Sequence, residues 1–326
     1  MNPTNERSLS LMPDSLAAFC KAAGDELRLL ILRVLSNDSF GVLELAHIFA
    51  MGQSSISHHL KVLATAGLVA TRREGNAIFY RRALTVPQQP LFELHSALLQ
   101  EIDALSIEQP LQQRIHAVHQ HRAMTSQEFF AKVGQEFAGR QDLIASLPQF
   151  SDSLLTLLDT LNFPATAEVL EVGPGDGGLL PALAQRFHRV RAIDNSPPML
   201  ELAQSLCQAQ QLKNVELILA DALKDPIAPA HCVIVNMVLH HFAAPAEALK
   251  QLARLVKPQG SLIISELCSH DQDWAKQACG DLWLGFDQEE LATWANAAGL
   301  IPSDSVYLGL KNGFQIQLRH FAKPDS

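Results

Sequence analysis

"EVGPGDGG", residues 171–178, follows the apolar run "AEVL" and precedes a helical pattern, "GLLPALAQRF". A glycine-rich turn that links a strand to a helix is where an α/β domain receives a nucleotide. Gly173, Gly175 and Gly178 satisfy the spacing GxGxxG, which taken alone fits a dinucleotide. Glu171 argues for another ligand. Its carboxylate, two residues before the first glycine, is poorly placed beside a pyrophosphate and suits a ligand that carries an ammonium group.

Outward from the turn, strands and helices alternate. "VRAID" (190–194) is a second strand, "VELILAD" (215–221) a third, "CVIVNMV" (232–238) a fourth and "SLIISEL" (261–267) a fifth. Helical patterns separate them, and "SVYLGLKNGFQIQLRHF" closes the chain as an antiparallel pair that turns at Asn312-Gly313. The pattern predicts a doubly wound α/β sheet with a hairpin at its edge, binding ligands at the carboxyl ends of its strands. Asp194 ends the second strand, 21 residues after Gly173, where a carboxylate takes both ribose hydroxyls. Asp221 ends the third, where it meets an adenine amino group. An ammonium, a ribose and an adenine without phosphate describe S-adenosylmethionine (SAM) or its demethylated product, S-adenosylhomocysteine (SAH).

The first hundred residues read differently. "LAAFCKAAGDELRLLILRVL" (16–35) is two helices broken near Gly24-Asp25, with Asp25 placed to cap the second. "GVLELAHIFA" (41–50) is a third helix, and Gly52 breaks the chain before "QSSISHHLKVLATAG" (53–67). There Ile56, Leu60 and Leu63 form a buried stripe, while Ser54, Ser57, His58 and Lys61 share a polar face. Short hydroxyls let a helix sit deep in the major groove, and Lys and His reach phosphates or base edges. "LVATRREGNAIFYRR" then predicts a hairpin around Glu74-Gly75-Asn76, with Arg72, Arg73, Arg81 and Arg82 on its arms. A groove-reading helix followed by a basic hairpin is the order of a winged helix-turn-helix. The DNA-contacting candidates are Gln53, Ser54, Ser55, Ser57, His58, Lys61, Arg72 and Arg73.

Charge agrees with this division. The 326-residue chain has a net charge of −9, which excludes a protein that coats nucleic acid with its whole surface. Between Gln53 and Arg82, however, five basic residues stand against one acid, and from Gln149 onward 20 acids stand against 12 Lys and Arg. No apolar run is long enough to span a bilayer and "MNPTNERSLSLMPDS" lacks a signal-peptide pattern, so a cytoplasmic location without a membrane partner is expected. The five cysteines have no CxxC spacing and read as free thiols.

Residues 16–83 resemble the ArsR/SmtB-type bacterial repressors, through "AAGDELRLLILRVL", "LELAHIFAMGQSSISHHLKVLATAGLV" and "RREGNAIFYR". The resemblance implies a homodimer on a palindromic operator that ligand binding releases. Leu91, Leu94, Leu98, Ile102 and Leu105 on "LFELHSALLQEIDAL" are the expected dimer seam. No metal site is expected: "VLELAHIFA" lacks the paired cysteines of arsenic sensors, His95 is a lone histidine beside the seam, and His116 and His119 lack thiol or carboxylate partners at ligand spacing. Residues 154–322 resemble class I SAM-dependent methyltransferases, through "VLEVGPGDGG", "RAIDNSPPMLELA", "NVELILADAL", "VIVNMVLHHF" and "LARLVKPQGSLIISE". That implies a cofactor site of Glu171, Gly173, Gly175, Asp194, Asn195, Asp221, Ala222 and Asn236, with His240 and His241 facing an acceptor.

The whole chain resembles a recurring bacterial fusion of these two modules, "HDQDWAKQACGDLWLGFDQEEL" (270–291) being typical of it. The expected division is a winged-helix and dimerisation domain at 12–108, a helical connector or lid at 109–149, and a Rossmann-like methyltransferase domain at 150–326. "TSQEFF" (125–130) offers a helix start inside the connector. Two functions fit: a regulator whose operator affinity SAM or SAH tunes, and an active SAM-dependent methyltransferase whose winged helix controls expression.

Overall fold

The computed structural model describes residues 12–87, 89–133 and 143–325, which form two compact units, one ending at Val118 and the other starting at His119. The first eleven residues and residues 134–142 of the expected connector lie outside the described ones.

In the first unit, helices α1 (Pro13–Ala23) and α2 (Glu26–Val34) break where expected, and the Asp25 carboxylate accepts from the Arg28 amide at 3.0 Å. That bond satisfies one of the donors a helix start leaves open. α3 (Val42–Ile48) leads to α4 (Gln53–Thr65), which buries Ile56, Leu60 and Leu63 completely. Strands β2 (Val69–Glu74) and β3 (Ala77–Arg82) form the hairpin, with Glu74 opposite Ala77 and a two-residue turn at Gly75-Asn76. A strand of two residues, β1 (Phe40–Gly41), pairs with β3 and completes a three-stranded sheet. Sequence periodicity cannot show so short a strand.

α5 (Phe92–Asp103) divides the expected seam. Ile102 is buried and Leu98 packs on this unit's own core, whereas Leu94 and Leu105 stay exposed. His95 is a core residue, its ring 5.8 Å from that of Phe19, edge to face. Burial, then the charge of Arg82, lowers its pKa. α6 (Gln109–Val133) runs 25 residues without the break that "TSQEFF" offered. The Thr125 hydroxyl bonds back to the His121 carbonyl at 3.0 Å, so the start signal is absorbed inside the helix. Leu111, Ile115 and Val118 of α6 pack on the first unit's core; its residues from His119 on belong to the second unit.

The second unit is a seven-stranded sheet. Its strands are β4 (Glu168–Val172), β5 (Arg189–Asp194), β6 (Val215–Leu219), β7 (Ala230–Asn236), β8 (Val256–Leu267), β9 (Ile301–Gly309) and β10 (Gln315–Ala322), ordered β6-β5-β4-β7-β8-β10-β9. The first five are parallel and only β10 and β9 join antiparallel, as the hairpin at Asn312-Gly313 requires. Val169–Val172 are buried throughout, the pattern of a strand covered on both faces. α7 (Ser151–Thr160), α8 (Leu180–Arg186) and α9 (Pro197–Ala209) add Leu154, Leu183 and Ala203 to the core that β4, β5, β7, β8 and β10 share. α10 (Pro245–Arg254), α11 (Trp274–Cys279) and α12 (Gln288–Ala297) complete the unit. The chain winds from β4 toward β6, then returns to β7 and winds the other way, so the order reverses between β4 and β7.

The hairpin arginines need correction. Arg72 is buried and its Nε lies 2.6 Å from a Glu74 carboxylate that is itself fully buried, so it braces the wing and is not presented to a phosphate. Arg82 is tied to Asp103 at 2.8 Å and to the Leu32 carbonyl. Arg73 is exposed. Removing one member of a buried ion pair costs roughly 3–5 kcal/mol, whereas an exposed substitution stays within about 0.5 kcal/mol. Urea unfolding should therefore show Arg72→Ala strongly destabilised and Arg73→Ala close to the wild type; equal midpoints would refute the bracing role.

Candidate functional site

The reversal of strand order leaves a crevice at the carboxyl ends of β4 and β7, where ligands of open α/β sheets bind. Gly173 follows β4 directly with φ at +68°, and a Cβ there would lie 2.7 Å from Val238 Cγ2. Only glycine fits that approach. Gly175 also has positive φ, but the third glycine with that conformation is Gly177, whereas Gly178 donates its amide to Asp176 at 3.0 Å. The dinucleotide spacing of the sequence is thus not the spacing the turn uses.

Glu171 is the second-last residue of β4 and 1% exposed. Its Oε2 is buried without a hydrogen-bond partner, and so is Oδ1 of Asn236, the last residue of β7. Two buried acceptors at the ends of neighbouring strands call for a donor-rich group, and an ammonium is such a group. Burial, then the negative charge of Asp176, pushes the Glu171 carboxyl up to about 8. Asp194 ends β5, half-buried, and accepts from the Ser196 amide at 2.8 Å. Burial raises its pKa to about 6 against the pull of the Ser196 and Asn195 amides. Asn195 itself is exposed beside it. Asp221 lies two residues beyond β6. One of its oxygens accepts from the Leu223 amide at 2.9 Å and the other meets Lys224 Nζ at 2.8 Å. It shapes its own turn, and Ala222 next to it is half-buried.

The two histidines after β7 do not stand as expected. They lie on a short 3₁₀ turn, Leu239–His241. His240 is 2% exposed, with Nδ1 2.7 Å from Glu266 Oε1, its backbone amide donating to Glu266 Oε2 at 3.1 Å, and Nε2 3.6 Å from Asp281. Burial disfavours its charged form, but Glu266 and Asp281 outweigh burial and raise its pKa. Such a clamped ring does not reach an acceptor. His241 is half-buried; burial, then the charge of His240, holds its pKa well below the ordinary histidine range. Around it stand Phe130, 4.8 Å away ring to ring, and the Gly280 carbonyl, 3.2 Å from its Nδ1. Phe129 and Phe130 of α6 also pack with Met199 and Leu202. Arg122 donates to the Ala243 carbonyl at 2.9 Å and stacks over Trp283 at 4.9 Å.

Sequence reasoning missed Glu266, Asp281, Arg122 and the two phenylalanines. A signal for Glu266 existed, since it is the one acid in the apolar run "SLIISEL". On α4, by contrast, Gln53, Ser54, Ser57, His58 and Lys61 are exposed as expected and Ser55 is half-buried. His59 turns inward, 3.7 Å from Asp25.

The buried carboxyl sets a pH dependence. An unfolded glutamate ionises near 4.5 and the folded Glu171 near 8, so between those values unfolding releases a proton and stability falls as pH rises. Glu171→Gln abolishes that contribution. Melting temperatures from about pH 5 to about pH 8 should fall in the wild type relative to this variant. Parallel profiles would refute the assignment.

Two family models match the chain: "Bacterial regulatory protein, arsR family" over residues 25–71 and "Methyltransferase domain" over residues 170–264. An uncharacterised methyltransferase of Mycobacterium tuberculosis is 34% identical over 110 residues, 33% of this chain and 54% of that one. The chain thus spans about half the length of that curated relative. The malonyl-(acyl-carrier protein) O-methyltransferase of Salmonella typhimurium is 29% identical over 187 residues, covering 56% and 68% of the two chains. Among solved structures, the magnesium protoporphyrin IX methyltransferase of Synechocystis with bound SAM superposes with a TM-score of 0.50 at 17% identity, over 62% of this chain and 97% of that one. A likeness at that identity speaks to the fold, which is the Rossmann-like methyltransferase fold. The chain joins a winged-helix segment of the bacterial arsR regulatory family to a methyltransferase domain.

Proposed function

We propose that this chain is a transcriptional regulator that binds a palindromic operator as a cytoplasmic homodimer, and that SAM or SAH in the methyltransferase domain sets its operator affinity. The observation that carries the ligand half is the pair of partnerless buried acceptors, Glu171 Oε2 and Asn236 Oδ1. Both nucleosides bring an amino-acid ammonium to satisfy them. Asp194 then serves the ribose, and the Asp221-Ala222 turn borders the adenine. When bound, SAM supplies an electrophilic methyl on a sulfonium; the protein's part is to orient it and exclude water.

The DNA half rests on the exposed polar face of α4 and on Arg73. Each phosphate contact removed lowers the salt slope of duplex binding by about 0.9. Leu94 and Leu105, the exposed part of the α5 stripe, are the surface offered to a second copy.

A ligand shifts DNA binding only through its different affinity for DNA-bound and free protein. SAM and SAH differ by one methyl and one positive charge, so the pocket separates them near that sulfur, with Glu171 and residues 236–241 as the groups in place to do so. The α6 helix, part of which belongs to each unit, is the proposed route of coupling. The second reading, methyl transfer to an unidentified acceptor, is favoured by the half-buried His241 beside Phe130, since displacement at a sulfonium needs no base that the site lacks.

Duplexes selected from a random library provide the operator probe. SAH should weaken operator binding more than SAM, and operator DNA should weaken SAH binding by the same factor. If neither nucleoside changes operator affinity at saturation while labelled methyl from SAM reaches an acceptor in cell extract, the enzyme replaces the sensor. Asp194→Ala should weaken both nucleosides about ten- to a hundredfold in calorimetry. Wild-type affinity in that variant would place the ribose elsewhere.

A further inference from the structure

His240 and His241, on the turn after β7, and Asp281, on the loop after α11, are not used by the ammonium, ribose and adenine contacts proposed above. Each offers a ligand atom, and the three atoms lie within 4.8 Å of one another. We propose that they form a site for a divalent transition-metal ion, zinc foremost.

The decisive feature is how the two imidazoles are held. A metal-ligating histidine engages its other ring nitrogen with a carboxylate or carbonyl, which fixes the tautomer and the aim of the ring. Both rings meet that condition through the same atom. His240 Nδ1 is 2.7 Å from Glu266 Oε1, and His241 Nδ1 is 3.2 Å from the Gly280 carbonyl. Each Nε2 is thereby left to ligate. His240 Nε2 already faces Asp281 Oδ1 at 3.6 Å, close to the ~3.4 Å that separates two ligands of a tetrahedral zinc with bonds of about 2.0–2.1 Å.

The carboxylate behind His240 is itself fixed. Glu266 Oε1 also accepts from the Leu267 amide at 2.7 Å, and Oε2 takes the His240 amide. The loop that brings in Asp281 is equally constrained. Gly280 has φ at +76°, and a Cβ there would come within 2.4 Å of the Phe129 ring, so its carbonyl reaches His241 only because the residue is glycine. The Leu282 and Trp283 amides, at 3.1 and 3.2 Å, both donate to the His240 carbonyl and pin the loop to the histidine turn. Two neutral imidazoles and one carboxylate suit zinc or a neighbouring transition ion, whereas magnesium and calcium take shells of oxygen. Half-buried His241 gives the cluster its opening, and three protein ligands leave a fourth position. Sequence spacing hides this site, because 40 residues separate His241 from Asp281.

The test uses the full chain, stripped with a chelator and titrated with Zn²⁺ against a chromophoric competitor, then with Co²⁺. One equivalent per chain is expected, and Co²⁺ should give the visible ligand-field bands of a tetrahedral N/O site. His241→Gln and Asp281→Asn should each weaken Zn²⁺ binding more than tenfold, and Glu266→Gln about ten- to a hundredfold, as loss of an outer-shell partner does. His116→Gln/His119→Gln, which alters the exposed His116 and the half-buried His119 of α6, should leave the affinity unchanged. Melting curves show whether each variant folds; if Asp281→Asn does not, His241→Gln decides alone. Absence of a bound equivalent in the wild type overturns the site. So does an unchanged affinity in His241→Gln, which would assign the zinc to other histidines.

Discussion

The reversal of strand order between β4 and β7 is the constraint from which the rest of the methyltransferase domain follows. Right-handed crossovers carry the chain away from these neighbouring strands in opposite directions, so no connection covers their shared end. Two polar side chains of these strands stand at that end. Glu171 and Asn236 occupy its two lips, with one oxygen each left unsatisfied. A folded chain tolerates that cost in few places. On the reading proposed above, a bound ligand offsets that cost at this position.

One other buried acid of the domain is treated in the opposite way. Glu266, fully buried on β8, spends its oxygens on the His240 ring, the His240 amide and the Leu267 amide. It fastens the end of one strand to the turn after the next, and it aims the imidazole. Glu171 keeps one oxygen without a hydrogen-bond partner while Glu266 engages both of its own, a contrast that supports the proposed roles of ligand contact and positioning residue.

The winged-helix unit shows the same division among its cations. Arg72 and Arg82 are used internally: Arg72 braces the wing against Glu74 of its own strand, and Arg82 ties the wing to Asp103 and to the Leu32 carbonyl of the helices. Arg73 projects outward, as do the serines, His58 and Lys61 of α4. A wing that places its own strand pairing under an ion-pair brace can present one arginine in a defined position. The surface charge available to a phosphate is accordingly smaller than the count of arginines.

Local pattern was enough to specify most of the elements, though not the two-residue β1 or the unbroken α6. The Asp25 cap, the buried stripe of α4, the two-residue hairpin turn and all five parallel strands follow from periodicities and turn chemistry that neighbouring residues impose on one another. The positions at the ends of those strands, Glu171, Asp194 and Asn236, were legible for the same reason, since strand ends in an open α/β sheet converge on one edge. Tertiary structure alone decided which charges face water. Arg72 and Arg73 are adjacent and chemically identical, yet strand alternation buries one and exposes the other against elements that the local sequence does not contain. It alone brought Asp281 to His240, because a cluster drawn from a turn, a strand and a distant loop exists only once the sheet has set their spacing.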